Sequence, residues 1–421
     1  MRQRNFHGWT VLAGAMLAYF CMCGNIFYAY GVFLPSMCDG LGWSRSAMSG
    51  PYTLNMLVGG FLGPLAGISI TKFGARKNIV LGNLVSALGL LGMSTITEVY
   101  HVYIFFGVLI GAGQAFGAWI ATIATVNNWF VRRRSLAMSL LFTSGGIGGF
   151  AFPPLISWLI SSLEWRFAWV CLGGIHLVLA VVIAGMLVRN KPEDIGQVPD
   201  GEVAVIPQKG DTVSPVQNRV YQTPADWTVG AALRSRALWL VMAFGLANMF
   251  TLNMLSIHQV SYVQDLGFSH MTASTAFGLL VGMSIIGRLA CGVLGTRFEG
   301  RHLAAVCLAG FTVGIVILMN VTSLPFIYLY AIVSGISYGG IIVLEPALLG
   351  AYFGRAHYAQ IMGWVAPIGT LVGASSPLLG GLIYDITESY IPAFVVAAVF
   401  LGVGVVCALL ARPPKELAAN Y

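Results

Sequence analysis

Twelve stretches of about twenty mainly apolar residues divide this chain. They lie at roughly 10–34, 47–70, 78–98, 102–127, 136–161, 167–188, 237–263, 272–295, 302–321, 325–350, 359–384 and 391–411. About twenty such residues carry a helix across the hydrocarbon core of a bilayer. In lipid every backbone N–H and C=O must be bonded within the protein, so runs of this length fold as helices. Charged residues make up 9% of the chain, against about a quarter in a soluble domain. The fold class expected is an all-α membrane protein with twelve transmembrane helices. No cleavable leader stands apart from the first run, which reads as a retained helix.

The basic residues give the orientation. If both termini are cytoplasmic, nearly all lysines and arginines fall on the inner side, among them Lys72, Arg76, Lys77, Arg132, Arg133, Arg134, Arg297, Arg301 and Arg355. Only Arg45 and Arg166 lie outside, and Arg288 falls within a span. The positive-inside rule selects this topology, which implies a multi-pass protein of the inner (plasma) membrane. The net charge of +7 therefore reflects orientation in a bilayer and does not suggest nucleic acid as a partner. The seven cysteines have no metal-ligand spacing and read as small apolar packers. No metal or cofactor is expected.

The chain reads as two halves of six spans, residues 1–189 and 237–421, joined by a polar linker at 190–236. The linker holds Pro192, Pro199, Pro207, Pro215 and Pro224 among mixed charges, as a cytoplasmic connection does. The halves echo each other. Gly67, Thr71, Lys72, Phe73 and Arg76 recur 225 residues on as Gly292, Thr296, Arg297, Phe298 and Arg301. Phe130, Arg132 and Pro154 recur 223 residues on as Phe353, Arg355 and Pro377. Two pseudo-symmetric six-helix bundles are one known plan for a transporter. At the first offset the counterpart of Arg288 is Gly63, so the symmetry is broken at the one cation inside a span.

The two repeated loops resemble the signature G-x-x-x-D-[RK]-x-G-x-[RK] of the major facilitator superfamily. Thr71 and Thr296 stand where the signature has aspartate. That acid belongs to the family's cytoplasmic latch, so the resemblance leaves Lys72, Arg76, Arg297 and Arg301 as gating residues without their usual partner. Longer stretches resemble the monocarboxylate transporter branch and its bacterial relatives, including the oxalate/formate antiporter. They are Gly8-Trp9, Tyr30 to Phe33, Gly42 to Arg45, Trp129 to Ala137, His258, Tyr262, Asp265 to Gly267, Ile286 to Leu289, Tyr352 to Arg355 and Ile383 to Asp385. The resemblance implies a secondary transporter for small monocarboxylates of the lactate or pyruvate kind, working by alternating access with proton symport. The alternative is an organic-anion exchanger, oxalate/formate-like, without proton coupling. The span-eleven lysine of the oxalate exchanger is replaced at the aligned position by Gly369, and a single cation favours a monoanion.

Arg288 carries the functional reading. A cation at mid-membrane costs from about 3 to above 10 kcal/mol, and such residues face water and meet an anion. A guanidinium binds a carboxylate through two parallel hydrogen bonds. The superfamily lines its cavity with spans one, four, seven and ten, which points to Asn25 and Tyr28, to Gln114 and Trp119, and to Tyr338 as further substrate-binding candidates. The same polar groups are also suited to bonding between helices. Asp265, Glu345 and His258 are the proton-coupling candidates, while His176 reads as structural. An intramembrane enzyme would need paired acids, a Ser/His or Ser/Lys pair or metal spacing within the spans, and the sequence has none. The expected partners are a small organic monocarboxylate anion, a proton and the lipid bilayer.

Overall fold

The computed structural model describes residues 6–27, 29–43, 45–201 and 220–414. Regular structure among them is helical throughout. Eleven helices are long and apolar enough to cross a membrane, and a bent pair brings the number to twelve. The spans are α1 Gly8–Leu34; α2, the pair Gly50–Phe61 and Gly63–Phe73; α3 Ala75–Thr95; α4 Val99–Trp129; α5 Arg134–Leu163; and α6 Trp165–Leu187. The second half holds α7 Arg236–Asp265, α8 Thr275–Leu294, α9 Gly300–Met319, α10 Leu324–Phe353, α11 Tyr358–Thr387 and α12 Ile391–Leu410.

Local chemistry explains where the helices start and bend. Ser235 caps α7 by accepting from Ala237 N–H, and Ser269 caps the helix that becomes α8 by accepting from Thr272 N–H. Such caps satisfy donors that have no partner inside the helix. The two pieces of α2 meet at 49°. Pro64 stands in the first turn of the second piece and has no N–H to continue the ladder.

The chain forms two compact units. The first comprises Met1–Val131, Leu141–Asp211 and Arg355–Pro367; the second comprises Arg132–Leu140, Thr212–Gly354 and Ile368–Tyr421. Packing inside the two repeats. In the first, α4 packs on α1, α2 and α3, and α6 packs on α1 and α3. In the second, α10 packs on α7, α8 and α9, and α12 packs on α7 and α9. Each half thus builds the same set of neighbours in the same order.

The core of the first unit is aromatic. Phe33 stacks on Trp169 with ring centroids 3.9 Å apart, and Tyr30 meets Phe106 at 4.2 Å. Gly63, the counterpart of Arg288, is used for close packing: a β-carbon there would lie 2.8 Å from the carbonyl oxygen of Gly363 on α11.

The described parts of the linker are docked by hydrogen bonds. In the first unit Trp129 Nε1 donates to Arg189 O at 3.0 Å, and Val131 N–H donates to Asp200 Oδ2 at 2.9 Å. Arg355 donates to Asn128 O at 2.9 Å and pairs with Glu193 Oε1 at 3.0 Å. In the second unit Thr223 N–H reaches Ala351 O at 2.8 Å and Trp227 N–H reaches Phe353 O at 3.1 Å.

Candidate functional site

Arg288 owes its place to glycines. On α10, Gly335 and Gly339 lie one turn apart. A β-carbon at Gly335 would lie 2.9 Å from Met283 Cβ and would meet the Leu280 carbonyl, and one at Gly339 would meet the Ser284 carbonyl. On α8, a β-carbon at Gly287 would strike the carbonyl of Ile336. The two helices are in backbone contact, as small residues allow in membranes. The residues beside those glycines, Arg288 and Tyr338, are thereby made neighbours.

The Arg288 side chain is 6% exposed and Tyr338 is 8% exposed. The guanidinium carbon stands 5.9 Å from the centroid of the Tyr338 ring, within range of a cation–π attraction. Ser284, one turn before Arg288, is fully buried and donates to Val281 O at 2.6 Å. Its hydroxyl is turned back on its own helix.

Trp119 belongs to the first unit. It follows a break in α4 at Ala118, whose φ of −114° and ψ of −93° are not helical. Trp119 is 38% exposed and lies 5.8 Å from the Tyr19 ring and 5.6 Å from the Phe142 ring. Gln114, in the turn before the break, donates to Asn55 Oδ1 at 3.3 Å. Asn55 in turn donates to Phe106 O at 2.8 Å, inside a π-helical stretch Tyr103–Ile110. Asn25 is fully buried, with Oδ1 3.1 Å from Nδ1 of His176. Tyr28 lies outside the described residues.

The three proton candidates lie on α7 and α10. Glu345 is half-buried on α10, and its carboxyl fills the notch left by Gly245 on α7. His258 Nε2 donates to Pro377 O at 2.8 Å, and its ring lies 5.2 Å from Tyr390. Asp265 is exposed at the end of α7. Burial first, and then the charges of Asp265 and Asp385, raise the Tyr390 hydroxyl above its ordinary pKa, against a hydrogen bond with Ser261. His258 and Asp265 thus share Tyr390 as a neighbour.

At the signature loops, Thr71 donates to Gly67 O at 3.0 Å and Thr296 to Val293 O at 2.7 Å. Both hydroxyls close their own helices. Arg76 donates to Gly185 O at 2.8 Å, and Lys72 stands 5.3 Å over the Phe73 ring. Arg301 pairs with Glu299 at 2.7 Å, and Arg297 is exposed. No group of three or more His, Cys, Asp or Glu side chains among the described residues is placed to hold a metal ion.

The sequence reading overlooked Asn55 and Asn83, and it overlooked the glycine contact of α8 with α10. The amides had a signal: each is a polar residue inside an apolar run. The glycines had the spacing Gly335-x-x-x-Gly339, but nothing in the sequence named α8 as the partner.

Known proteins point the same way. The sequence profile of the Major Facilitator Superfamily matches residues 15–301 and 261–420. Monocarboxylate transporter 13 of Bos taurus is 27% identical over 400 residues, covering 94% of this chain and 87% of that protein. Monocarboxylate transporter 4 of Gallus gallus is 26% identical over 406 residues, covering 93% and 80%. Among solved structures, the Major Facilitator Superfamily transporter FucP superposes with a TM-score of 0.71 at 14% identity, covering 96% of this chain and 98% of that one. The human organic anion transporter MFSD10 superposes with a TM-score of 0.69, also at 14% identity, covering 96% and 98%. The chain is a membrane transporter that belongs to the Major Facilitator Superfamily.

Proposed function

We propose that this protein carries small monocarboxylates of the lactate or pyruvate kind across the membrane by alternating access, in symport with a proton. The observation that carries the reading is Arg288, a guanidinium buried inside a span and backed by the Tyr338 ring. Arginine keeps its charge at physiological pH, and its planar fork matches a carboxylate. The Tyr338 ring face supports the cation. In the first unit, Trp119 gives the path an aromatic wall. A single cation fits a monoanion, and pairing the two lowers the penalty of holding charge in low dielectric.

A monoanion moving with one proton leaves no net charge to cross. Glu345 is the residue best suited to carry that proton, since it is a carboxyl within a span and packs against backbone. Asp265 and His258 stand at the other end of α7 or near it, where a proton would enter or leave. Lys72, Arg76, Arg297 and Arg301 are the gating bases of the two signature loops. The membrane is the inner (plasma) membrane, with both termini cytoplasmic. The names of the animal relatives agree with a carboxylate as the cargo.

Uptake of labelled lactate and of labelled oxalate into proteoliposomes, with and without an inside-alkaline gradient, tests this. Lactate uptake that rises with the gradient is the expected result. Oxalate uptake that ignores the gradient and needs internal anion would instead establish the exchanger.

A further inference from the structure

His176 is completely buried in the first unit, and both of its ring nitrogens face an amide. Nδ1 lies 3.1 Å from Asn25 Oδ1, and Nε2 lies 3.1 Å from Asn83 Oδ1. Asn83 donates through Nδ2 to Ile79 O at 2.7 Å and to Gly117 O at 2.9 Å. Its oxygen is therefore the atom turned to the imidazole, and Nε2 carries the hydrogen. Nδ1 is then an acceptor and needs a donor from Asn25. The amide of Asn25 supplies one when its nitrogen, not its oxygen, faces the ring, and the two senses have the same shape. With the oxygen facing the ring, Nδ2 of Asn25 is buried without a partner.

Three of the four spans joined here are irregular at the points of contact. Asn25 lies in a π-helical stretch of α1, Met22–Phe27. His176 is the last residue before another in α6, Leu177–Ile183. Gly117 comes immediately before the break at Ala118 in α4. Such departures from the α-helix persist only where the surroundings hold them, and they gather at functional sites. The α3 and α4 backbones also touch here: a β-carbon at Gly82 would lie 2.7 Å from Gly113 O, and one at Gly117 would lie 2.7 Å from Asn83 N. On the far side of the break stands Trp119.

We propose that His176 is a positioning residue for Trp119, acting through Asn83 and the Gly117 carbonyl to set the break in α4. The bond from Asn83 fixes the carbonyl that precedes the break, and so fixes the direction in which α4 resumes. His176 fixes Asn83, and Asn25 fixes His176. The proposal rests on the reading of Trp119 as a wall of the substrate path.

Two measurements test it on the full chain in proteoliposomes. The first is the concentration dependence of labelled lactate uptake per inserted protein, in a double-mutant cycle. H176F is expected to raise KM about tenfold while Vmax stays within about twofold, because misplacing a binding wall weakens binding. H176Q, which keeps one donor and one acceptor, is expected to recover part of that loss and to serve as the working variant if H176F fails to insert. W119A is expected to raise KM by a similar factor, and H176F in the W119A background is expected to add almost nothing. Two effects that multiply would overturn the positioning role and leave Trp119 as a substrate contact. An unchanged KM in W119A would overturn the reading of Trp119, and the proposal with it.

The second measurement needs no substrate. Residue 119 is replaced by cysteine, and its alkylation by a water-soluble thiol reagent is timed by mass spectrometry of the peptide that carries it. Adding H176Q is expected to change that rate about fivefold or more, since the break no longer holds one geometry. An unchanged rate would overturn the proposal whatever the cargo is.

Discussion

Gly287 of α8 and Ile336 of α10 meet so closely that no β-carbon fits between them. Arg288 and Tyr338 are each one or two residues from that contact, so the cation and its aromatic backing inherit their geometry from it. The close approach leads to the first expectation. G287A forces the helices apart, and overpacking of this kind costs about 1–3 kcal/mol. Thermal unfolding in detergent is expected several degrees lower, with lactate uptake reduced beyond the loss of folded protein. A variant with unchanged melting and uptake would show that the contact is not needed.

R288K keeps the charge and loses the fork. On the proposed reading, one of two parallel charge-assisted bonds to the carboxylate disappears, at about 1.5–3 kcal/mol. The expected outcome is a fall of about tenfold or more in Vmax/KM for labelled lactate. Uptake near the native level in R288K would remove the carboxylate from this residue.

Tyr338 separates ring from hydroxyl. Y338F retains the face beneath the guanidinium and is expected to transport within about twofold of the native protein. Y338A loses the ring and with it about 1–2 kcal/mol of cation–π support, or roughly fivefold to thirtyfold in affinity. Equal loss in both variants would point to the hydroxyl.

Glu345 is tested by its amide. E345Q cannot exchange a proton, so the inside-alkaline gradient is expected to stop stimulating uptake while exchange of internal for external lactate continues. Stimulation that survives in E345Q but vanishes in D265N would move the proton to the Asp265 end of α7.

The linker ion pair of Arg355 and Glu193 is partly exposed, with side-chain accessibilities of 31% and 47%. Exposed pairs contribute about 0.2–1 kcal/mol. E193Q is therefore expected to lower the melting temperature by no more than a degree or two. R355A, which also removes a donor from Asn128 O, is expected to lower it further. The order of the two variants in one thermal scan decides the point.

How much could be read from residues alone differs from site to site. Arg288 was legible because a charge inside an apolar run is conspicuous and expensive. Tyr338 was legible only through the family resemblance, since its neighbour lies on another helix. Asn25 shows the limit most clearly. Spacing puts it on one face of a regular α1, but the π-helical stretch Met22–Phe27 inserts extra backbone and turns the remainder of the helix by about 100° per added residue. In the structure it meets His176. Asn83 showed in the sequence only as a polar residue inside an apolar run: it matters because Gly117 is within reach, and that pairing is set by the crossing of α3 and α4.

The number of spans, their helical state and their repeat in two halves are legible in the order of residues along the chain. Lipid offers no hydrogen bonds, so an apolar run must satisfy its own backbone, and that is a local requirement written in consecutive residues. Which helix backs the arginine and where the amides turn were settled only by tertiary contacts. Those depend on which small residues let two backbones touch, and a contact between distant segments is not a property of either segment alone.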